Sequence, residues 1–240
     1  MKTKARLGTA LAFAIAASSM ASSTASAQTA QGFALDRFNP SERGSEWFAG
    51  DTLDFRGHKR PALGFVGDFA LRPLVIYNAD GSDRAVLVRD QFFLHFGGAI
   101  NLWDRVRLGV DVPIAVHQDG DSGTLNGVTY PAPSSGGLGD VRVSGDVRIL
   151  GVYGDVFTMA AGVQLFLPTG DRASFLGDNT VRFTPRVLVA GDIGVFVYSA
   201  NVGFQYRALD DAFAGSPRGS ELVGAVTAGV RVADKKLVIG

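Results

Sequence analysis

Apolar and polar residues alternate with a period of two along most of the chain, the mark of β-strands whose two faces meet different surroundings. The cleanest run sets Val106, Leu108, Val110, Val112, Ile114 and Val116 against Arg107, Gly109, Asp111, Pro113, Ala115 and His117. Residues 63–72, 91–102, 140–149, 157–167, 181–189, 196–207 and 222–231 repeat the pattern, and Leu237, Val238 and Ile239 open a further run. One face of each run carries no charge over about ten residues, the length a tilted strand needs to cross a bilayer. The opposite face mixes glycine and alanine with Arg, Asp, Asn and Gln and has hardly any lysine. That suits a crowded, wet barrel interior better than the solvent side of a sandwich.

The links between runs give a second signal. Long ones (77–89, 118–139, 168–180, 208–220) alternate with tight ones (103–105, 150–155, 191–194, 233–236). Transmembrane barrels have this rhythm, with short periplasmic turns and longer outer loops. Tyr77 and Tyr206 fall at the outer ends of runs, while Trp103, Tyr153 and Tyr198 fall near the inner ends, the levels at which amphipathic rings anchor. Pro113 and Pro185 interrupt the pattern, because proline removes a ladder hydrogen bond. A bulge is expected near Pro113 and a bulge or local break at Pro185. The predicted fold class is all-β, an antiparallel up-and-down transmembrane β-barrel.

The N-terminus departs from this pattern. Lys2, Lys4 and Arg6 precede the apolar stretch 7–17, and Ala25-Ser26-Ala27 follows, so residues 1–27 read as a signal peptide. Residues 28–61 scatter Phe33, Phe38, Trp47, Phe48 and Phe55 among charges without a period. They are expected to be a periplasmic lead-in, with an extra strand or a plug in the lumen as alternatives. The barrel is assigned to 62–240. Single-chain bacterial barrels have an even strand number, so eight runs and the start of a ninth predict a barrel incomplete at the C-terminus.

Composition narrows the function. Lys+Arg and Asp+Glu both number 23, which supplies no electrostatic footprint for nucleic acid, and the absence of cysteine removes disulfides and thiolate metal sites. Removal of residues 1–27 would take away three positive charges and no negative one, leaving −3.

Three segments carry a resemblance: Phe33-Ala34-Leu35-Asp36-Arg37-Phe38-Asn39-Pro40, Arg89-Asp90-Gln91-Phe92-Phe93-Leu94-His95 and Leu167-Pro168-Thr169-Gly170-Asp171. With them the chain resembles the N-terminal barrel region of the larger OmpA-family outer membrane proteins. The Leu-Pro-Thr-Gly-Asp element is also similar to that of phenol meta-pathway-type transporter barrels. The first resemblance implies a structural, envelope-linking role, with peptidoglycan bound through a domain beyond Gly240. The second implies passive, porin-like transport of small hydrophobic or anionic solutes. A soluble exported β-sandwich binder is the third reading. The first two imply a bacterial outer membrane, with its lipid as partner.

The candidate chemistry is a set of charges on the inward face: Asp68, Arg72, Arg107, Asp111, Arg142, Asp146, Arg148, Arg182, Arg186, Arg207 and Arg231, with Asp140 and Glu221 beside them. They are read first as ion pairs bracing a narrow barrel, and second as the lining of a pore with mild anion preference. Asp119 and Asp121 have a fragment of calcium-loop spacing, but Asn126 is the one further donor and the closing Glu is missing. His95, His117, Ser144 and Ser199 lack a G-x-S-x-G context. No catalytic residue, metal site or cofactor is expected.

Overall fold

The computed structural model describes residues 28–29, 31–125, 127–209, 211–232 and 237–240. The expected signal peptide, the expected tight link 233–236 and Asn126 therefore lie outside the described residues. The described chain is all-β, and none of it forms a helix long and apolar enough to cross a membrane, which says nothing of strands.

The main sheet follows a path of β1 (Arg60–Tyr77), β2 (Asp83–Leu102), β3 (Val106–Asp119), β4 (Arg142–Leu150), β5 (Thr158–Phe166), β6 (Arg182–Ile193), β7 (Phe196–Arg207), β8 (Glu221–Val232) and β9 (Leu237–Ile239), with the short strand Gly137–Leu138 paired to β3 off that path. Each pairs antiparallel with its neighbour in the chain, so strand order is sequence order from β1 to β9. The sheet is an up-and-down meander curled into a half-barrel. Among the described residues no second sheet stacks on Val110 or Val163, so the sandwich reading falls on architecture alone. The tight turn 103–105 reverses on Trp103 and Asp104, both at φ 54°, and Arg105 N–H closes it onto the Leu102 carbonyl at 3.1 Å. The β6–β7 turn uses Gly194 at φ 66°, where a side chain would be strained.

Alternation becomes two chemically opposite faces. The outward one is apolar and open: Leu63 is 87% exposed, Phe65 70% and Val226 82%, with Leu108, Val110, Phe183 and Val202 between them. The inward one is charged and closed: Arg107 and Arg142 are 2% exposed and Asp146 1%. A water-soluble sheet buries the first set and exposes the second. This one does the reverse.

Irregularities in the ladder explain where the sequence pattern misleads. Pairing of β2 with β3 jumps from Phe92–His117 to Phe93–Ala115, which leaves Val116 as an extra residue. This bulge sits close to Pro113, as expected, and turns His117 outward to bond Asp90 Oδ1 at 2.6 Å instead of facing inward with Arg107. Around Pro185, β6 stays paired with β5, but its pairing with β7 lapses between Phe183–Tyr206 and Arg186–Gly203 and resumes in the same register. The missing proline N–H gives a local break, one of the two outcomes expected. The link over 77–89 is shorter than its composition suggested, because β1 and β2 run past three register shifts into a hairpin over 78–82.

Residues 31–56 correct the lead-in assignment. They lie inside the curl of the sheet and bond to strands across its whole width. Asn39 reaches Gln164 of β5 at 2.9 Å, Asp51 N–H donates to Ser199 Oγ of β7 at 2.9 Å, and Asn101 of β2 donates to the Asp54 carbonyl at 2.8 Å. Leu53 and Phe55 bury themselves against Ala160, Leu188 and Ala190 on the inner face. The small residues of that face make room for this segment: a Cβ on Gly109 would collide with the Glu42 carboxylate, and one on Gly97 with the Arg43 guanidinium.

Candidate functional site

The interior is a charge network between the inner face and the inserted segment. Arg107 of β3 bonds both oxygens of Asp51, at 3.0 and 2.7 Å, and Asp146 of β4 at 2.8 Å. Arg186 of β6 spans Asp146 at 2.9 Å and Glu42 at 3.0 Å, with Arg142 of β4 a further 3.4 Å from Glu42. Arg43 bonds Asp111 of β3 at 2.8 Å, and Arg231 of β8 bonds Glu46 at 2.7 Å and Asp192 at 3.1 Å. Nearer the long-loop end, Arg182 and Arg207 converge on Asp178 at 3.2 and 3.0 Å, while Asp140 takes Arg182 at 3.0 Å.

Buried charges of this kind survive only when paired, because desolvation costs each ion several kcal/mol. Glu42 states the balance plainly. Burial pushes its carboxyl upward, yet Arg142, Arg186 and Arg107 around it win and hold it at about 2. It is ionised at any ordinary pH.

Most of the charges picked out from sequence therefore do face inward: Asp68, Arg107, Asp111, Arg142, Asp146, Arg182, Arg186, Arg207 and Arg231. One does not fit the lining. Arg72 has φ 51° and sits in the register shift between Leu71 and Leu74, exposed and paired with Asp83. Arg148, opposite Ala160, is on the inner face at its short-turn end and bonds the Gly151 carbonyl. Glu221 meets Arg37 at 2.5 Å. Sequence reasoning missed Asp36, Glu42, Arg43, Glu46 and Asp51, the partners on the inserted segment. One signal for them existed: guanidinium groups outnumber carboxylates on the inner face, so balancing acids had to come from elsewhere.

The other candidates separate. Asp119 and Asp121 both pair with Arg89, Asp121 at 2.7 Å. Ser199 is taken by the Asp51 backbone, and among the described residues neither Ser144 nor Ser199 hydrogen-bonds a histidine.

Beside the network lies a cavity of about 500 Å³, lined by polar groups such as Asn39, Gln164, Arg182 and Gln205 and by Phe93, Phe166 and Leu176. At the long-loop end an apolar cluster gathers Phe33 of the inserted segment with Tyr130, Phe175 and Phe213 of three loops. Phe213 meets Tyr130 at 5.0 Å and Phe33 at 5.1 Å, both edge to face. The segment is thus held by ion pairs at mid-height and by aromatic contacts at its head.

Residues 91–240 match the family described as "Putative MetA-pathway of phenol degradation". That is more than half of the chain, and the chain belongs to this family. It is the second of the two groups the sequence resembles; no finding supports the OmpA-family resemblance. No curated protein matches the chain.

Proposed function

We propose that this member of the phenol MetA-pathway family is a bacterial outer-membrane β-barrel whose lumen, partly filled by residues 31–56, passes small hydrophobic or anionic solutes. The observation that carries the reading is the inversion of the sheet. Leu63, Phe65, Val110, Val202 and Val226 are open on its outside, while Arg107, Arg142 and Asp146 are buried within. A contiguous apolar face of this width is far larger than a soluble monomer leaves to water, and lipid is the solvent that suits it. Trp103, Tyr77 and Tyr206, all exposed at strand ends, suit the two interfacial levels.

Passage is preferred to the envelope-linking role on two grounds. The family description concerns degradation of a small aromatic compound. The interior also keeps a cavity of about 500 Å³ of mixed polar and apolar lining, in the range of small-molecule sites.

The test is reconstitution of the full chain. Heat-modifiable gel mobility in detergent and stable incorporation into vesicles are expected. Planar-bilayer recording should then give steady channels, raised in Glu42→Ala, where a rivet of the inserted segment is lost. Incorporation with electrical silence in both proteins would overturn transport and favour the structural role. Failure to enter vesicles would overturn the membrane reading itself.

A further inference from the structure

Where the inserted segment passes β1 to β3, three carboxylates surround one imidazole. His95 Nδ1 lies 2.8 Å from Asp111 Oδ2, while Nε2 lies 3.0 Å from Asp68 Oδ2 and 3.4 Å from Asp36 Oδ2. The imidazole is buried and ringed by Phe38 and Phe93, with centroids 5.6 and 6.1 Å away. Asp111 has its own cation, Arg43, at 2.8 Å. Asp36 and Asp68 have none: among the described residues no Lys or Arg pairs with either.

A single Nε2–H can serve one of these two oxygens and not both. With Nε2–H on Asp68, Asp36 keeps the Phe38 N–H on its Oδ1 at 2.9 Å, but it has no cation, and its Oδ2 faces Asp68 across the ring nitrogen, an arrangement that costs free energy.

We propose that Asp36, Asp68 and His95 Nε2 bind a first-row divalent cation, with Asp111 as the outer carboxylate that orients the imidazole. Zinc bonds to nitrogen and carboxylate oxygen are about 2.0–2.2 Å long. Two such ligands on one ion stand about 3.0 Å apart at a right angle and about 3.4 Å apart at the tetrahedral angle. The separations of the two carboxylate oxygens from Nε2 fall on those values, and the candidate ligand atoms all lie within 4.8 Å of one another. A ligating histidine ordinarily donates its other N–H to a carboxylate, and Asp111 at Nδ1 stands in that position. One imidazole and two carboxylates suit zinc or a neighbouring transition metal better than calcium or magnesium, which take oxygen. The ion would join Asp36 of the inserted segment to β1 and β2, a third fastening beside the ion pairs and the aromatic cluster.

The test uses the full chain folded in detergent, stripped with EDTA and titrated with Zn²⁺ by calorimetry. One equivalent is expected. Asp36→Asn and Asp68→Asn should each abolish it, Asp111→Asn should weaken it by roughly ten- to a hundredfold, and Asp80→Asn on the exposed β1–β2 hairpin should leave it unchanged. Gel mobility checks that each variant folds. X-ray absorption of the zinc-loaded wild type is independent of any variant and should show one nitrogen with oxygens at about 2.0–2.1 Å. Absence of binding, binding indifferent to Asp36→Asn and Asp68→Asn, or an all-oxygen shell would overturn the proposal.

Discussion

Two neighbours on one strand, Asp111 and Val110, stand in opposite surroundings. Val110 is 40% exposed and Asp111 3%, so along β3 the apolar side chain is open and the charged one enclosed. The difference teaches that the two faces are stabilised by different means. Inside, specific partners fix each charge, and loss of one partner strands another ion. Outside, side chains such as Leu63, Val110 and Val226 stand open, and on the proposed reading what counts is that the surrounding medium accepts hydrocarbon. Substitutions on the two faces should therefore fail in different ways.

The largest effect is expected inside. Asp146→Ala removes a carboxylate shared by Arg107 and Arg186, and denaturant unfolding of the detergent-folded protein should show a loss of about 3–5 kcal/mol. On the outer face, Val110→Arg should cost roughly 2–4 kcal/mol when folding is measured into lipid vesicles. Were water the medium, the same change would stay within about 0.5 kcal/mol.

Acid should act on the interior alone. Glu42 is held at about 2, below the ordinary carboxylate value near 4.5, so its contribution is present above the higher value and disappears as pH falls toward the lower. The groups facing it are Arg142, Arg186 and Arg107, with Asp146 sharing two of them and Arg43 adjacent in the chain. Wild type should lose up to about 3 kcal/mol between pH 6 and pH 2 from this group. Glu42→Gln should lose correspondingly less over the same range, and equal acid sensitivity in both proteins would contradict the assignment. The smallest effect is expected at the exposed rim, where Arg89→Gln frees Asp119 and Asp121 and should change stability by less than about 1 kcal/mol.

The strands were legible because a two-faced sheet writes its period directly into the chain. The run over 196–207 coincides with β7, and Leu237 to Ile239 with β9. What escaped depends on partners that the local pattern does not contain. The extra residue at Val116 is defined by pairing with β2, so His117 was placed on the wrong face. Arg72 was misplaced for the same reason, beside the register shift in β1.

The inserted segment is the larger omission. It has no period, because it is irregular chain, and its Glu42, Asp51 and Asp36 acquire meaning only opposite Arg186, Arg107 and His95, which lie far along the sequence. The surplus of arginine on the inner face was the one trace it left, and the composition of 31–56 could have been read against that surplus.

The central claim is that lipid covers the outer face while the protein's own chain fills the inner one. The absence of native cysteine permits a direct measurement: single cysteines at Leu63, Val110 and Val226, and separately at Ser144 and Gln205, spin-labelled in the vesicle-reconstituted protein. The account expects the first three labels to collide freely with dissolved oxygen and hardly with a water-soluble nickel chelate, and the last two to be shielded from oxygen in the bilayer. Ready collision of the chelate with labels at 63, 110 and 226 would contradict it.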